Sequence, residues 1–283
     1  MADSADFREA QQRSWDSAAA GWDEWSEFTD RAARHISERL VALAGVESGS
    51  RVLDVAAGSG EPALTAARKA GPEGRVVATD ISHEMLEFGR QRAAAAGLEG
   101  NVEFMEADAS SLDFPHESFD AAVSRWGIIF EPDAEAAAER IRGFLKPDAR
   151  MAIASWGEPD QVPFLAIPMR TTRERLGLPA PPEGTPGPLS RPTPDAIGAL
   201  LEGGGFSDVA VERDEVVFEF ASPEQFTAYV RAIAAPIRAM IEQHAGDAQE
   251  EAWDAITQAA ADAGGGSGPL VLSNAVLLAS GST

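Results

Sequence analysis

Apolar positions recur at helical spacing through residues 5–45, with Phe7, Trp15, Trp22, Trp25 and Phe28 among them. After residue 50 the period changes. The runs RVLDVA (51–56), RVVATD (75–80), NVEFMEAD (101–108), FDAAVSR (119–125) and RMAIASW (150–156) are short and largely apolar and read as buried strands. Helical stretches lie between them at about 61–70, 83–96 and 133–145. Strands alternating with helices of this length predict a parallel, doubly wound α/β sheet.

Order weakens over 158–192, where APPEGTPGP reads as turn and loop. A helix over 193–202 ends at Gly203, Gly204 and Gly205, and DVAVERDEVVFEF (208–220) restores strand character. Residues 222–262 are again helical and hold the sole tyrosine, Tyr229; GGGSG (264–268) turns into a final strand, PLVLSNAVLLAS.

Composition narrows the class. At 283 residues and 44% hydrophobic content a packed core is assured. The absence of cysteine excludes disulfides and thiolate metal ligands. The start, MADSADFREAQQRSWD, is acidic where a signal peptide is basic and then apolar, and no run reaches about 18 apolar residues, so the chain reads as cytoplasmic. The net charge of -23 comes from 46 acids against 23 bases, with Lys69 and Lys146 the only lysines. Such a field repels phosphate backbones and anionic headgroups, so the expected partner is a small molecule, with no nucleic acid and no membrane. Monomer and homodimer both stay open.

The stretch VLDVAAGSGEPAL (52–64) carries Gly58, Gly60 and Ala63, a G-x-G-x-x-G/A pattern that fits a dinucleotide and equally another nucleoside ligand. Glu61 and Pro62 oppose a pyrophosphate at the next helix, because one adds negative charge and the other removes a donor. Asp54 suits a ligand ammonium, or else caps a helix or loop. Asp80, 22 residues after Gly58, is placed to accept ribose hydroxyls. These residues describe a ligand with a ribose, an amine and no phosphate requirement.

Four motifs in order, VLDVAAGSGE, VVATDISHEML, VEFMEADASSLDFPHESFDAAVSRWGIIFEPD and FLKPDARMAIASW, resemble class I S-adenosylmethionine-dependent methyltransferases over about residues 50–157. The subgroup resembled is the one that includes the ubiquinone and menaquinone C-methyltransferases (methyltransferase type 11). The resemblance implies a Rossmann-like, mostly parallel seven-stranded sheet with N-terminal helices and a late helical insert. It implies S-adenosylmethionine as cofactor, S-adenosylhomocysteine as product, and a small apolar or aromatic metabolite methylated at carbon, oxygen or nitrogen. Asp54 and the loop from Gly58 to Gly60 would face the methionine part, Asp80 the ribose, and Ile81 and Met85 the adenine, with Ala56 a further donor-site candidate. Asp108 would accept the adenine amine beside the backbone of Ala109. The family has Gly or Cys where this chain has Ala57, and Gly-Gly where it has Asp148 and Ala149; altered loop geometry without lost function is expected there. The alternatives are a dinucleotide-dependent oxidoreductase and a non-catalytic S-adenosylmethionine-binding protein.

Methyl transfer from a sulfonium needs mainly proximity and orientation, so no catalytic residue is assigned. His35, His83, His116 and His244 lack metal-ligand spacing, and no metal is expected. Arg125 and Trp126 follow the fourth strand at the edge where donor and acceptor meet. Arg125 counts among the donor-site candidates; it can also orient an anionic or carbonyl acceptor or pair with a nearby acid. The acceptor candidates are Trp22, Trp25, Trp126, Phe130, Phe226 and Tyr229. The expected division is a helical lid (1–45), a donor-binding core (46–157), a Pro-rich excursion (158–192), a core continuation (193–221), a helical insert forming a substrate cap (222–268) and a final strand (269–283).

Overall fold

The computed structural model describes residues 4–182 and 184–283. Residues 1–3 of the acidic start and Glu183 of the Pro-rich stretch lie outside the described residues. Strands β1 (Arg51–Val55), β2 (Arg75–Asp80), β3 (Val102–Glu106), β4 (Phe119–Arg125), β5 (Leu145–Trp156), β6 (Ser207–Phe220) and β7 (Leu270–Ser282) form one seven-stranded sheet in the order β3-β2-β1-β4-β5-β7-β6. Neighbours among β1 to β5 are parallel, and β7 runs antiparallel to β5. The chain winds outward from β1 to β3 and returns to the other side of β1 as β4. The carboxyl ends of β1 and β4 therefore flank the switch point where doubly wound sheets bind ligands.

The chain divides into two compact units. One gathers Met1–Ala32, Pro159–Glu183 and Glu215–Asn274; the other gathers Ala33–Glu158, Gly184–Asp214 and Ala275–Thr283. Residues 33–45 and 184–192 thus group with the sheet.

In the sheet unit both faces of β1 are buried, as its unbroken apolar run requires. Leu53, Val55, Val77 and Ile153 share a core with Ile141 and Phe144 of α5 (Ala134–Phe144) and with Ile197 and Leu200 of α7 (Pro194–Gly203). Each such side chain contributes roughly 1.5–3 kcal/mol by leaving water. Asp133 and Thr193 cap these helices, and Ser82 caps α4 (His83–Ala95) by accepting the Met85 N–H at 3.1 Å. Helix α3 (Ala63–Ala70) starts later than the pattern suggests, with Pro62 at its N-cap and no side-chain cap. Strand β5 starts earlier than expected, at Leu145. Residues 146–149 bulge out of its pairing with β4, held by Lys146 Nζ donating to Asp120 at 2.6 Å.

The other unit holds α1 (Ser4–Glu24), the start of α2 (Ser26–Leu43), α6 (Pro163–Leu176), α8 (Pro223–Ile233), α9 (Ala235–His244) and α10 (Gln249–Gly264). Helix α6 adds order to the Pro-rich excursion, where the sequence pattern weakens over 158–192. Pro163 sits at the first helical position, where no donor is needed, and Phe164, Ile167, Pro168 and Thr172 bury one face. The Phe164 N–H is satisfied by Asn274 Oδ1 at 2.9 Å. The single helical insert expected over 222–262 is three helices.

Candidate functional site

The chain leaves β1 through three residues at positive φ: Ala56 at 56°, Gly58 at 53° and Gly60 at 110°. The departure that matters for geometry is therefore Ala56, which the sequence reading passed over in favour of Ala57. An L-residue there is strained. The strain also fixes a neighbour, since a Cβ at Gly127 would lie 2.4 Å from the Ala56 Cβ. A Cβ at Gly58 would meet nothing within 4 Å, so its Cα faces open space at the switch point. Asp148 likewise adopts a glycine-like φ of 62°, so at this family departure the left-handed turn is kept with a side chain present.

Asp80, at the end of β2, is nearly buried. Its Oδ2 accepts the Gly58 N–H at 2.8 Å and its Oδ1 accepts the Ser82 N–H at 2.9 Å. Two backbone donors orient the carboxylate beside the glycine loop. Ile81 follows half-buried, and Met85 lies at the start of α4 with 4% exposure. Asp108 caps the short turn Ala109–Ser111, its Oδ1 accepting the Ser110 N–H at 2.7 Å and the Ser110 hydroxyl at 2.6 Å. Glu61 folds along its own helix, accepting from Thr65 Oγ1 at 2.6 Å and pairing with Arg68 at 3.3 Å.

Asp54 is wholly buried and neither carboxylate oxygen has a hydrogen-bond partner. The Ala63 N–H at the start of α3 nonetheless acts on its carboxyl, which keeps the helix-capping reading beside the ligand-facing one. Burial pushes its carboxyl well above the usual range, opposed by the Arg125 charge and the Ala63 N–H and reinforced by Glu61 and Asp80.

At the carboxyl end of β4, Arg125 Nη1 donates to Ser37 Oγ at 2.8 Å, and the guanidinium lies 5.2 Å from the Trp126 ring centroid. Trp126 has φ 57° and stacks flat on Trp156, with centroids 4.3 Å apart and planes 3° from parallel. The sequence reading missed Trp156, which ends β5 beside β4; only the pairing of those strands brings it to the site. The end of the Pro-rich excursion, residues 190 and 191, bonds to this edge. Ser190 Oγ donates to Ile129 O at 2.7 Å, Ser155 Oγ to Arg191 O at 2.8 Å, and Arg191 pairs with Glu135 at 2.8 Å. Phe130 lies half-buried in the turn Ile128–Phe130, whose Ile129 carbonyl accepts the Ser190 bond.

The remaining acceptor candidates lie in the helical unit. Trp25 meets Tyr229 edge-on at 5.3 Å, and Trp22 is half-buried with its Nε1 unpartnered. Phe226 and Tyr229 have no exposed surface, and Tyr229 OH lies 2.9 Å from Thr29 Oγ1. Rings of Phe28, Phe164 and Phe220 enclose Tyr229. Phe226 and Tyr229 thus belong to the buried core of that unit. Among the described residues no cluster of His, Asp and Glu could hold a metal ion, and no helix is long and apolar enough to cross a membrane.

Residues 52–148 match the family model described as a methyltransferase domain. The chain is 37% identical over 144 residues to the ubiquinone/menaquinone biosynthesis C-methyltransferase UbiE of Pseudomonas putida, an alignment covering 50% of this chain and 56% of that protein. The chain thus spans little more than half the length of the curated relatives it matches. Among solved structures, YcgJ from Bacillus subtilis aligns with TM-score 0.57 and 20% identity over 88% of this chain and 98% of its own. The [4+2]-cyclase SpnF aligns with TM-score 0.56 and 19% identity over 89% and 82%. At these identities the structures establish the fold alone. The sequence likeness to the methyltransferase domain model thus lies in residues 52–148.

Proposed function

We propose that the chain is an S-adenosylmethionine-dependent methyltransferase acting on a small molecule. The observation that carries this reading is the Asp80 carboxylate, oriented by the Gly58 and Ser82 N–H groups at the end of β2. A ribose diol is matched by an acceptor-only carboxylate at this place in a doubly wound sheet. The open face of Gly58 lets a ligand approach the backbone, Met85 and Ile81 offer an apolar wall to a purine, and Ala109 lies one residue beyond Asp108 to frame its edge. These residues fit the donor. Glu61 and Pro62 at the start of α3 fit a pyrophosphate poorly.

When bound, the donor supplies an activated methyl group: the acceptor's lone pair or carbanion bonds to the methyl carbon, the C–S bond breaks towards sulfur, and S-adenosylhomocysteine is left. The protein's part is to hold and orient, and to exclude water at the carboxyl edge. The stacked Trp126 and Trp156 rings, and Phe130 in the turn to which Ser190 bonds, support an apolar or aromatic acceptor. Trp22 and Trp25 of the helical unit are further acceptor candidates.

Calorimetric titration with S-adenosylmethionine, S-adenosylhomocysteine and a nicotinamide dinucleotide tests the reading. The first two are expected to bind and the third not. Dinucleotide binding alone would replace the reading with an oxidoreductase. Donor binding with no labelled methyl transferred to any member of a metabolite extract would leave a binding protein.

A further inference from the structure

Asp54 and Arg125 lie on one face of the sheet. Strands β1 and β4 are parallel neighbours with Asp54 opposite Val123. Side chains alternate along a strand, so Arg125 shares the face of Val123 and Asp54, one pleat nearer the carboxyl edge. Its guanidinium is fixed from two sides, by the Ser37 hydroxyl and by the Trp126 ring. Among the described residues, Nη1 is the only one of its nitrogens in a hydrogen bond and no carboxylate pairs with it, in a chain where acids outnumber bases 46 to 23. Asp54, which feels its charge, is itself pushed towards the neutral form by burial and does not cancel it. A half-buried arginine with its Nε and Nη2 donors unspent is arranged to receive a planar anion from outside the chain.

The position says which part of a ligand this anion belongs to. Gly127 follows Arg125 by two residues, and its bare Cα sits so close to Ala56 that a Cβ would overlap that residue. The exit of β4 is thus pressed against the very turn, 56–60, that would hold the amino-acid end of the donor.

We infer that Arg125 binds the α-carboxylate of the amino-acid part of S-adenosylmethionine and S-adenosylhomocysteine. This rests on the proposed donor site and adds a residue that distinguishes the complete donor from its nucleoside fragment. Asp80 and the residues after it contact the nucleoside, so the two ends of the ligand are read by different strands.

The test is calorimetric and needs no acceptor. The parent protein and the variants Arg125→Gln and Arg125→Lys are titrated with S-adenosylhomocysteine, with its decarboxylated analogue, and with 5′-methylthioadenosine, which lacks the amino acid altogether. The parent is expected to prefer S-adenosylhomocysteine to the decarboxylated analogue by about tenfold or more. Arg125→Gln is expected to lose roughly 10- to 100-fold for S-adenosylhomocysteine, the range of a charge-assisted hydrogen bond, and to bind the other two within about twofold of the parent. Arg125→Lys should fall between, because it keeps the charge and loses the fork. Equal loss for all three ligands would mark a structural role and overturn the inference. Unchanged S-adenosylhomocysteine affinity in folded Arg125→Gln would overturn it too. Should the variants not fold, the parent alone decides: equal affinity with and without the carboxylate refutes the assignment. If the parent binds no adenosyl ligand, the proposed function itself fails, and this inference with it.

Discussion

Gly58 N–H donates to Asp80 Oδ2 at 2.8 Å, tying the turn after β1 to the end of β2 across 22 residues. The bond explains why both residues sit at the same edge, and it leaves the Cα of Gly58 facing open space. Gly58→Ala should therefore meet no steric clash within the protein. It should cost about 1–2 kcal/mol from the positive φ alone. A thermal melt measures that cost, while titration with S-adenosylhomocysteine should show a much larger loss, because the methyl group occupies the ligand's approach. Affinity equal to the parent's would mean that nothing binds against this glycine.

Ala56 and Gly127 form a matched pair. Gly127→Ala should destabilise strongly, since its Cβ would fall 2.4 Å from the Ala56 Cβ and 3.0 Å from the Ala56 carbonyl oxygen. Ala56→Gly should be stabilising or neutral, because glycine accepts the φ of 56° without strain. Combined, the second change should recover part of the loss, giving a coupling of about 0.5–3 kcal/mol in denaturant unfolding. Strict additivity would show that the two do not press on each other.

Asp54 gives the stability a pH signature. Its native carboxyl titrates above the usual range because burial disfavours the charge, so the folded chain holds a proton that the unfolded chain releases. The stability it contributes is full below the unfolded carboxylate pKa of about 3.9 and falls as pH rises through the raised native value, by up to about 1.4 kcal/mol per pH unit. Asp54→Asn removes that titration. The melting temperature of the variant relative to the parent should rise with pH across this window and then level off. Asp120 acts in the opposite sense. Although burial raises it, the Arg51 N–H and Lys146 hold its carboxyl low, so its contribution is lost as pH falls; the difference between variant and parent cancels it. A difference independent of pH would contradict the burial argument.

Tyr229→Phe deletes the hydroxyl that meets Thr29 and should cost about 0.5–1.5 kcal/mol, with the Thr29 hydroxyl still bonded to Trp25 O. Tyr229→Ala empties a fully buried ring site and should cost about 3–5 kcal/mol. Neither change should alter S-adenosylhomocysteine affinity in protein that remains folded. A selective loss of ligand binding by the folded Phe variant would put Tyr229 back at a site.

The sheet was legible because β1, β2 and β4 are largely apolar runs that carry Asp54, Asp80 and Arg125 at or next to their carboxyl ends. The helix α6 was not legible, since Pro163 and Pro168 resemble loop residues until Asn274, 110 residues later, supplies the partner for the Phe164 N–H. The same limit hid Trp156, whose stacking on Trp126 exists only through strand pairing. The aromatic count in the late insert suggested a cap, yet Phe226 and Tyr229 are consumed in their own unit's core. Composition reports that rings are present and not which way they face. The left-handed turn at Ala56 was invisible for a related reason, because alanine does not announce a positive φ.

The most direct test of the donor site is titration of S-adenosylhomocysteine into Asp80→Ala. Removing the carboxylate should delete two charge-assisted hydrogen bonds to the ribose, each worth roughly 1.5–3 kcal/mol, and lower affinity by about 100-fold or more. A melt checks the fold, because the Gly58 and Ser82 N–H groups lose their partner as well. A folded Asp80→Ala protein that binds S-adenosylhomocysteine within about twofold of the parent would contradict the account.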